Sequence, residues 1–290
     1  MVMSSLEPGP SRGTPAVPVP ITVIQPTKGW VGLKVKELWD ARELLYFLTL
    51  REVKVRYKQT AVGVMWVVIQ PLFNMLIFTL IFGRLAKMPS DNIPYPVFSM
   101  AAVVPWTFFS GALALTANCL VSNSNLISKV YFPRLAVPLA AVGSGLVDLG
   151  VALLLLFAML PFYKIVPGAR VLWLPAFILL AAVAATGVGL WLAALNVEYR
   201  DVRYVVPFLV QFWMFATPVV YSSSLLKEPW HSIYGLNPMA GVVEGFRWCL
   251  LGSQNESFLM LAVSSTAAVA LLVSGAYYFR RMEKNFADVI

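Results

Sequence analysis

Arg51, Lys54, Arg56 and Lys58 stand within the eight residues REVKVRYK, immediately ahead of an uncharged stretch, residues 59–83. Cations at that spacing, next to apolar chain, can attract an anionic lipid headgroup at a membrane surface. Inside the uncharged stretch Gln70 and Asn74 are four apart and share a helix face, and Pro71 between them frees a backbone carbonyl. Two readings of that face stay open: helix–helix contact, worth about 0.6 kcal/mol per bond in a bilayer, or the lining of a pathway. Asp148 is the one carboxylate inside an apolar run, where it costs about 2.5–3.5 kcal/mol. It could carry a proton or a cation. With no His, Lys or second carboxylate in the other apolar runs it makes a poor relay. A structural hydrogen bond to a neighbouring helix is the stronger reading, and D148N then leaves activity largely intact. Glu244 and Arg247, three apart, share a helix face and can pair.

Other chemistry is missing from the sequence. No Gly-x-x-x-x-Gly-Lys-Ser/Thr phosphate loop, His-Glu-x-x-His, Cys-x-x-Cys or nucleophile elbow occurs. The chain is therefore not expected to be an enzyme, to bind ATP by that route or to hold a metal. His231 is the only histidine, and Cys119 and Cys249 give no disulfide framework. They read as small packing residues near opposite membrane faces.

These residues need elements to position them, and the composition says which kind. Of 290 residues 59% are apolar and 12% charged, against roughly 45–50% and 25% in a soluble domain. The excess falls in long uncharged runs, so the expected class is an all-α polytopic membrane protein. Six stretches are candidates for about 20-residue spans: Ala61–Phe82, Val97–Val121, Leu135–Phe162, Val171–Leu195, a short fifth at Tyr204–Tyr221 with Pro207 and Pro218, and Phe258–Phe279. Six spans put both ends on one side. With the termini inside, inner segments carry sixteen Lys and Arg and outer ones six, which favours cytoplasmic termini. The net charge of +8 is read as that flank and not as a nucleic-acid surface. Residues 1–29 hold six prolines and no surviving apolar run, which reads as a solvated tail and not a signal peptide. Trp106, Trp173, Trp191 and Trp230 suit membrane interfaces.

Two segments fit neither span nor loop. ELWDARELLYFLTLREVKVRYKQT reads as an amphipathic helix, with Leu38, Ala41, Leu45, Leu48 and Val55 near one face. It is expected to lie in the inner interface and turn into the membrane at Thr60–Gly63. YGLNPMAGVVEGFRWCLLG has an apolar core too short to cross between Pro238 and Gly252, and is expected to form a re-entrant or interfacial helix on the outer side. The boundaries expected are a Pro-rich tail (1–30), the amphipathic helix (31–60), a six-helix membrane domain (61–282) and a cytoplasmic tail (283–290).

Aromatic residues concentrate in the first, second and fifth spans. Trp66, Phe73, Trp106, Phe109, Phe212, Trp213 and Tyr221, with Gln70 and Asn74, suit a wide path for sugars, since aromatic faces stack on sugar rings without tight specificity. Ala181, Ala185, Gly189 and Ala193 form a small-residue ridge for close helix approach, within the chain or across a dimer. Two inner connections suit docking of a soluble partner: SNSNLISKVYFPR, which opens on capping residues and ends at Pro133-Arg134, and the charged NVEYRDVRY.

At this point the pieces match a family. LLYFLTLREVKVRYKQTAVGVMWVVIQPLFNMLIFTLIFGRLAKM resembles the opening of permease subunits of type 2 ABC exporters for polysaccharides. SNSNLISKVYFPRLAVPLA resembles their first cytoplasmic loop. LNVEYRDVRYVVPFLVQFWMFATPVVY and LNPMAGVVEGFRWCLLG resemble later motifs in the same order, so the likeness covers about residues 40–285. The resemblance implies a bacterial inner-membrane permease, paired with a second copy of itself and with two ATPase subunits that bind ATP and Mg. It implies a polymer such as O-antigen, capsule or teichoic acid, carried on a lipid. It makes the basic helix a gate helix in which Arg51, Lys54, Arg56 and Lys58 meet the lipid head. It makes Leu126, Ile127, Lys129, Tyr131, Phe132 and Arg134 the coupling segment toward the ATPase, and residues 236–251, with Glu244 and Arg247, the paired re-entrant helices at the outer mouth. The runner-up is an exporter of drugs or small lipids with the same fold. A secondary transporter is disfavoured by the single mid-span acid and the lack of a repeat.

Overall fold

The computed structural model describes residues 35–58, 65–225, 233–253, 258–284 and 286. The tail 1–30, the turn at Thr60–Gly63, His231, Trp230 and Lys227 lie outside the described residues. Among those described, every regular element is helical. In order they are α1 (Val35–Asp40), α2 (Arg42–Lys58), α3 (Met65–Phe78), α4 (Tyr95–Ser122), α5 (Ser124–Lys129), α6 (Ala136–Met159), α7 (Leu174–Glu198), α8 (Val202–Phe215), α9 (Pro238–Leu251) and α10 (Phe258–Met282). A π-helical run, Thr79–Leu85, extends α3, and 3-10 turns extend α6 and precede α7.

Among the described residues five helices, with these extensions, are long and apolar enough to cross a bilayer: 65–85, 95–122, 136–163, 169–198 and 258–282. The expected fifth span is the exception. α8 stops at Phe215 after 14 residues, about 21 Å at 1.5 Å per residue, short of a hydrocarbon core of about 30 Å. Turns replace helix over residues 216–219. Pro218 has no N–H to continue the helical ladder, and Thr217 Oγ1 instead bonds back to the Trp213 carbonyl at 2.9 Å.

The helices run back and forth, so the bundle has two ends. One end carries α2, α5, the 130–135 and 199–201 connections and the close of α10. The other carries the 86–94 connection, the start of α7, residues 216–225 and α9. α4 is the central helix, with 78% of its apolar window buried, and α3 the most peripheral, with 11%. Two apolar clusters form the interior. One joins α4, α6, α7 and α9 through residues such as Phe98, Phe109, Leu156 and Phe246. The other, at the basic end, gathers Leu48, Leu120, Ile127, Ala140, Leu190, Phe279 and Phe286.

The small-residue ridge of α7 is used within the chain. Ala181, Ala185 and Ala193 are fully buried, and a Cβ on Gly189 would meet the Thr116 side chain of α4 at 2.6 Å. On the next face of α7, a Cβ on Gly275 of α10 would stand 2.3 Å from the Gly187 carbonyl oxygen, so these backbones touch. Trp191 and Tyr278 stack beyond that crossing, centroids 4.3 Å apart.

Candidate functional site

The basic helix comes first. α1 and α2 run almost continuously across Ala41, whose N–H still bonds the Glu37 carbonyl at 3.1 Å. The face that α1 and α2 bury follows the apolar pattern except at its far end: Leu38 and Leu45 pack half-buried against the basic-end cluster and Ala41 is half-buried. Leu48 is buried, but Val55 is 64% exposed. α2 packs along α6 through these buried apolar residues and also through a polar strip. Thr49 lies against Gly143, where a Cβ would come within 3.2 Å of Thr49 Oγ1. About two turns further on, Arg56 and Tyr57 both donate to the Asp148 carboxylate, and Arg56 Nη2 donates to Ser144 Oγ at 3.1 Å. Burial, then the Asp148 bond, raises the Tyr57 hydroxyl to a pKa of about 12. Asp148 thus bonds a neighbouring helix, as the structural reading required, and its charged partner comes from outside the spans. Of the four expected headgroup cations, Lys54 and Lys58 are exposed. Arg51 pairs with Glu52 at 3.0 Å and donates to Asn123, while Arg56 is engaged by α6.

The nine residues assigned to a sugar path do not gather on one surface of a single chain. Trp66 and Phe73 on α3 and Phe212 on α8 are 61–67% exposed. Gln70 shares the open face of α3, and Asn74 is half-buried beside it. Trp106 and Phe109 on α4 are buried. Their rings pack at a tilt of 46° with centroids 5.5 Å apart, and Phe109 meets Trp213 edge-on at 5.3 Å. Trp213 Nε1 in turn donates to Asn237 Oδ1 at 3.0 Å. Both α3 and α8 pack on α4, which leaves Gly111 exposed and Thr107, Ser110 and Ala114 half-buried. Hydropathy could not separate lining from core here, because α4 is apolar all round.

At the opposite end stands α9. Asn237 caps it by accepting from the Met239 N–H at 3.0 Å, Pro238 sits at its first turn, and Gly252 ends it at φ +69°. The expected Glu244–Arg247 pair forms at 3.0 Å. Arg247 is 1% exposed. It also donates to the Val219 and Tyr221 carbonyls at 3.0 and 3.3 Å and lies 3.6 Å over the Phe98 ring. Burial pulls its guanidinium below the usual range, and Glu244 opposes that pull. Tyr95 donates to the Val220 carbonyl at 2.5 Å, Asp91 accepts from Ser222 and Ser224, and the Tyr221 and Tyr234 hydroxyls bond each other. The stretch 219–224 after α8 is therefore held by side chains from α4, α9 and the 86–94 turn. Only the Glu244–Arg247 part of this network was legible beforehand, because only it is local. A cavity of 360 Å³ beside α9 is lined by Trp173, Phe177, Glu244, Trp248 and Phe258.

The docking segment is at the basic end. Ile127 of α5 is buried, and Leu126 and Phe132 pack half-buried against the same cluster. Lys129 and Tyr131 face outward, Tyr131 80% exposed. Arg134 Nη1 donates to the Glu283 carbonyl at 2.5 Å, and Phe286 inserts beside Phe279 with centroids 5.2 Å apart. The end of the chain thus braces this connection, which no local pattern signals.

Comparison with known proteins agrees with this architecture. The model of the ABC-2 type transporter family matches residues 43–251. An O-antigen export system permease protein from Myxococcus xanthus is 29% identical over 88% of this chain and 98% of its own. A protein of the same name from Klebsiella pneumoniae is 25% identical over 86% and 95%. A polysialic acid transport protein from Escherichia coli is 22% identical over 81% and 92%. The chain, whose described residues form a helical bundle with five helices long and apolar enough to cross a membrane, belongs to the ABC-2 type transporter family.

Proposed function

We propose that the chain is the permease subunit of an ATP-driven exporter that moves a lipid-linked, O-antigen-like polysaccharide across the bacterial inner membrane. The observation that carries this reading is the match, over 86–88% of the chain, to relatives named as O-antigen export permeases. In this reading two copies of the chain pair, and two separate ATPase subunits bind ATP and Mg and dock on the α5 end. Both termini are cytoplasmic, since the basic residues cluster at that end. α8 with residues 216–221 makes the fifth of six passes, and α9 is a re-entrant helix at the outer mouth.

The geometry supports a polymer path between copies. The open aromatic face of α3, with Trp66, Gln70 and Phe73, and that of α8, with Phe212, would line it. Trp106, Phe109 and Trp213 would form the wall behind it, with Asn74 and Tyr221 at its edges. Exposed Lys54 and Lys58, with Arg51, would meet the anionic lipid head at its entrance. Charged side chains facing hydrocarbon cost about 2.5–3.5 kcal/mol each, so a polar entrance is where they belong. ATP binding would bring the ATPases together, shift α5 and move the bundle.

The test is made in the native host. Depletion of this chain should abolish surface polysaccharide while lipid-linked polymer accumulates on the cytoplasmic side of the inner membrane. Unchanged surface polymer would reject the assignment.

A further inference from the structure

We infer that Asp148 is a positioning residue that sets the depth and tilt of the basic helix α2 along α6. The inference deepens the reading of α2 as the element that meets the anionic head. Asp148 stands twelve residues past Ala136, the start of α6, about 18 Å along the axis at about 1.5 Å per residue. Its two carboxylate oxygens are taken separately, Oδ2 by Arg56 and Oδ1 by Tyr57, on the last turn of α2. Ser144, one turn earlier on α6, accepts a second Arg56 bond at 3.1 Å. A second anchor lies nearer the start of both helices, where Gly143 lets Thr49 approach. Two anchors fix the direction of a rigid helix. From Thr49 to Arg56, α2 advances in the same sense as α6 does from Gly143 to Asp148. α2 therefore climbs beside α6, and Lys54 and Lys58 are carried to the depth Asp148 dictates.

The alternatives for Asp148 fit the contacts less well. A proton or cation carrier needs an oxygen open to its cargo, and here both accept bonds. A carboxylate placed only for packing would not meet an arginine and a tyrosine from a helix outside the spans. The arrangement also explains why Arg56, alone among the four cations, turns inward.

The test uses a disulfide as a ruler. A Cβ on Gly143 would be 3.9 Å from Thr49 Cβ, within the roughly 3.5–4.5 Å that a disulfide spans. The T49C/G143C chain is expressed with the intact transporter in native membranes and oxidised, and the 49–143 bridge is quantified by peptide mapping. Export is measured in parallel in chains with native residues at 49 and 143. The bridge should form efficiently in T49C/G143C alone. Adding D148A should lower its yield several-fold and export with it. D148N, which still accepts hydrogen bonds, should retain most of both, and R56D/D148R should recover yield lost in each single variant. Where D148A fails to reach the membrane, R56Q carries the same comparison. An unchanged bridge yield in D148A or R56Q overturns the inference, as does a charge swap no better than its singles at equal membrane levels. Loss of export in D148N at full bridge yield overturns it too, by assigning Asp148 a proton or cation role. The bridge is read without any substrate, so it fails or stands separately from the lipid-head reading.

Discussion

At the scale of single residues, burial divides the aromatic set into two roles that one sequence pattern had merged. Trp66 and Phe212 are exposed on a single chain, whereas Trp106 and Phe109 are core. W66A and F212A should therefore lower export of polymer at unchanged membrane levels. W106A and F109A should lower the amount of folded chain, because truncating a buried aromatic costs about 3–5 kcal/mol. Surface polymer and detergent-extracted chain, measured together, separate the two. Normal export in the W66A/F212A double variant would remove the path from α3 and α8. Arg247 is the other residue with a large expected effect. R247A leaves Glu244 and two carbonyls without their donor, a change worth about 3–5 kcal/mol for a broken buried pair. Thermal unfolding in detergent should show a markedly lower midpoint, with residues 219–224 the first to gain protease sensitivity. An unchanged midpoint would mean that the network around α9 holds nothing.

At the scale of elements, the glycine contacts predict opposite outcomes for two similar changes. G275A must push α10 off the Gly187 carbonyl and should destabilise by about 1–3 kcal/mol, as overpacking does. G111A meets nothing within 4 Å and should leave the fold of the single chain unchanged. Equal stability of the two variants in detergent would contradict the close crossing of α7 and α10. Element positions were largely legible in the sequence, since long uncharged runs and Pro or Gly punctuation mark where helices start and stop. The start of α9 at Asn237-Pro238, its end at Gly252 and its Glu244–Arg247 pair were legible for the same local reason. The failures are those of non-local physics. The helix α8 is shorter than the apolar stretch that contains it, because turns replace helix from residue 216, just before Pro218. Val55 proved exposed because the last turns of α2 meet α6 through Arg56 and Tyr57, whereas Leu45 and Leu48 earlier in the helix do join the apolar cluster. Arg56 and Asp148 are 92 residues apart, and Arg134 and Glu283 are 149 apart, so no spacing rule links either pair.

At the scale of the whole molecule, the basic end is built as a braced platform. Ile127 and Phe286 lie in one apolar cluster beneath α5, while Lys129 and Tyr131 stand outside it. An exposed tyrosine on a rigid base is the kind of side chain that dominates an interface. Y131A should weaken association with the ATPase subunit by about tenfold or more, as loss of an anchor worth over 1.4 kcal/mol does. F286A should weaken it indirectly and also loosen the Arg134 connection. Pull-down at graded detergent and salt distinguishes these from variants such as W66A, for which no loss of association is expected. The central claim, a permease half that depends on a separate motor, is tested most directly by co-purification. The tagged chain is extracted from its native host in a mild detergent, and its companions are identified and quantified by mass spectrometry. The account predicts one soluble ATPase at near-equal stoichiometry with this chain. Recovery of the chain alone across several mild detergents would contradict it.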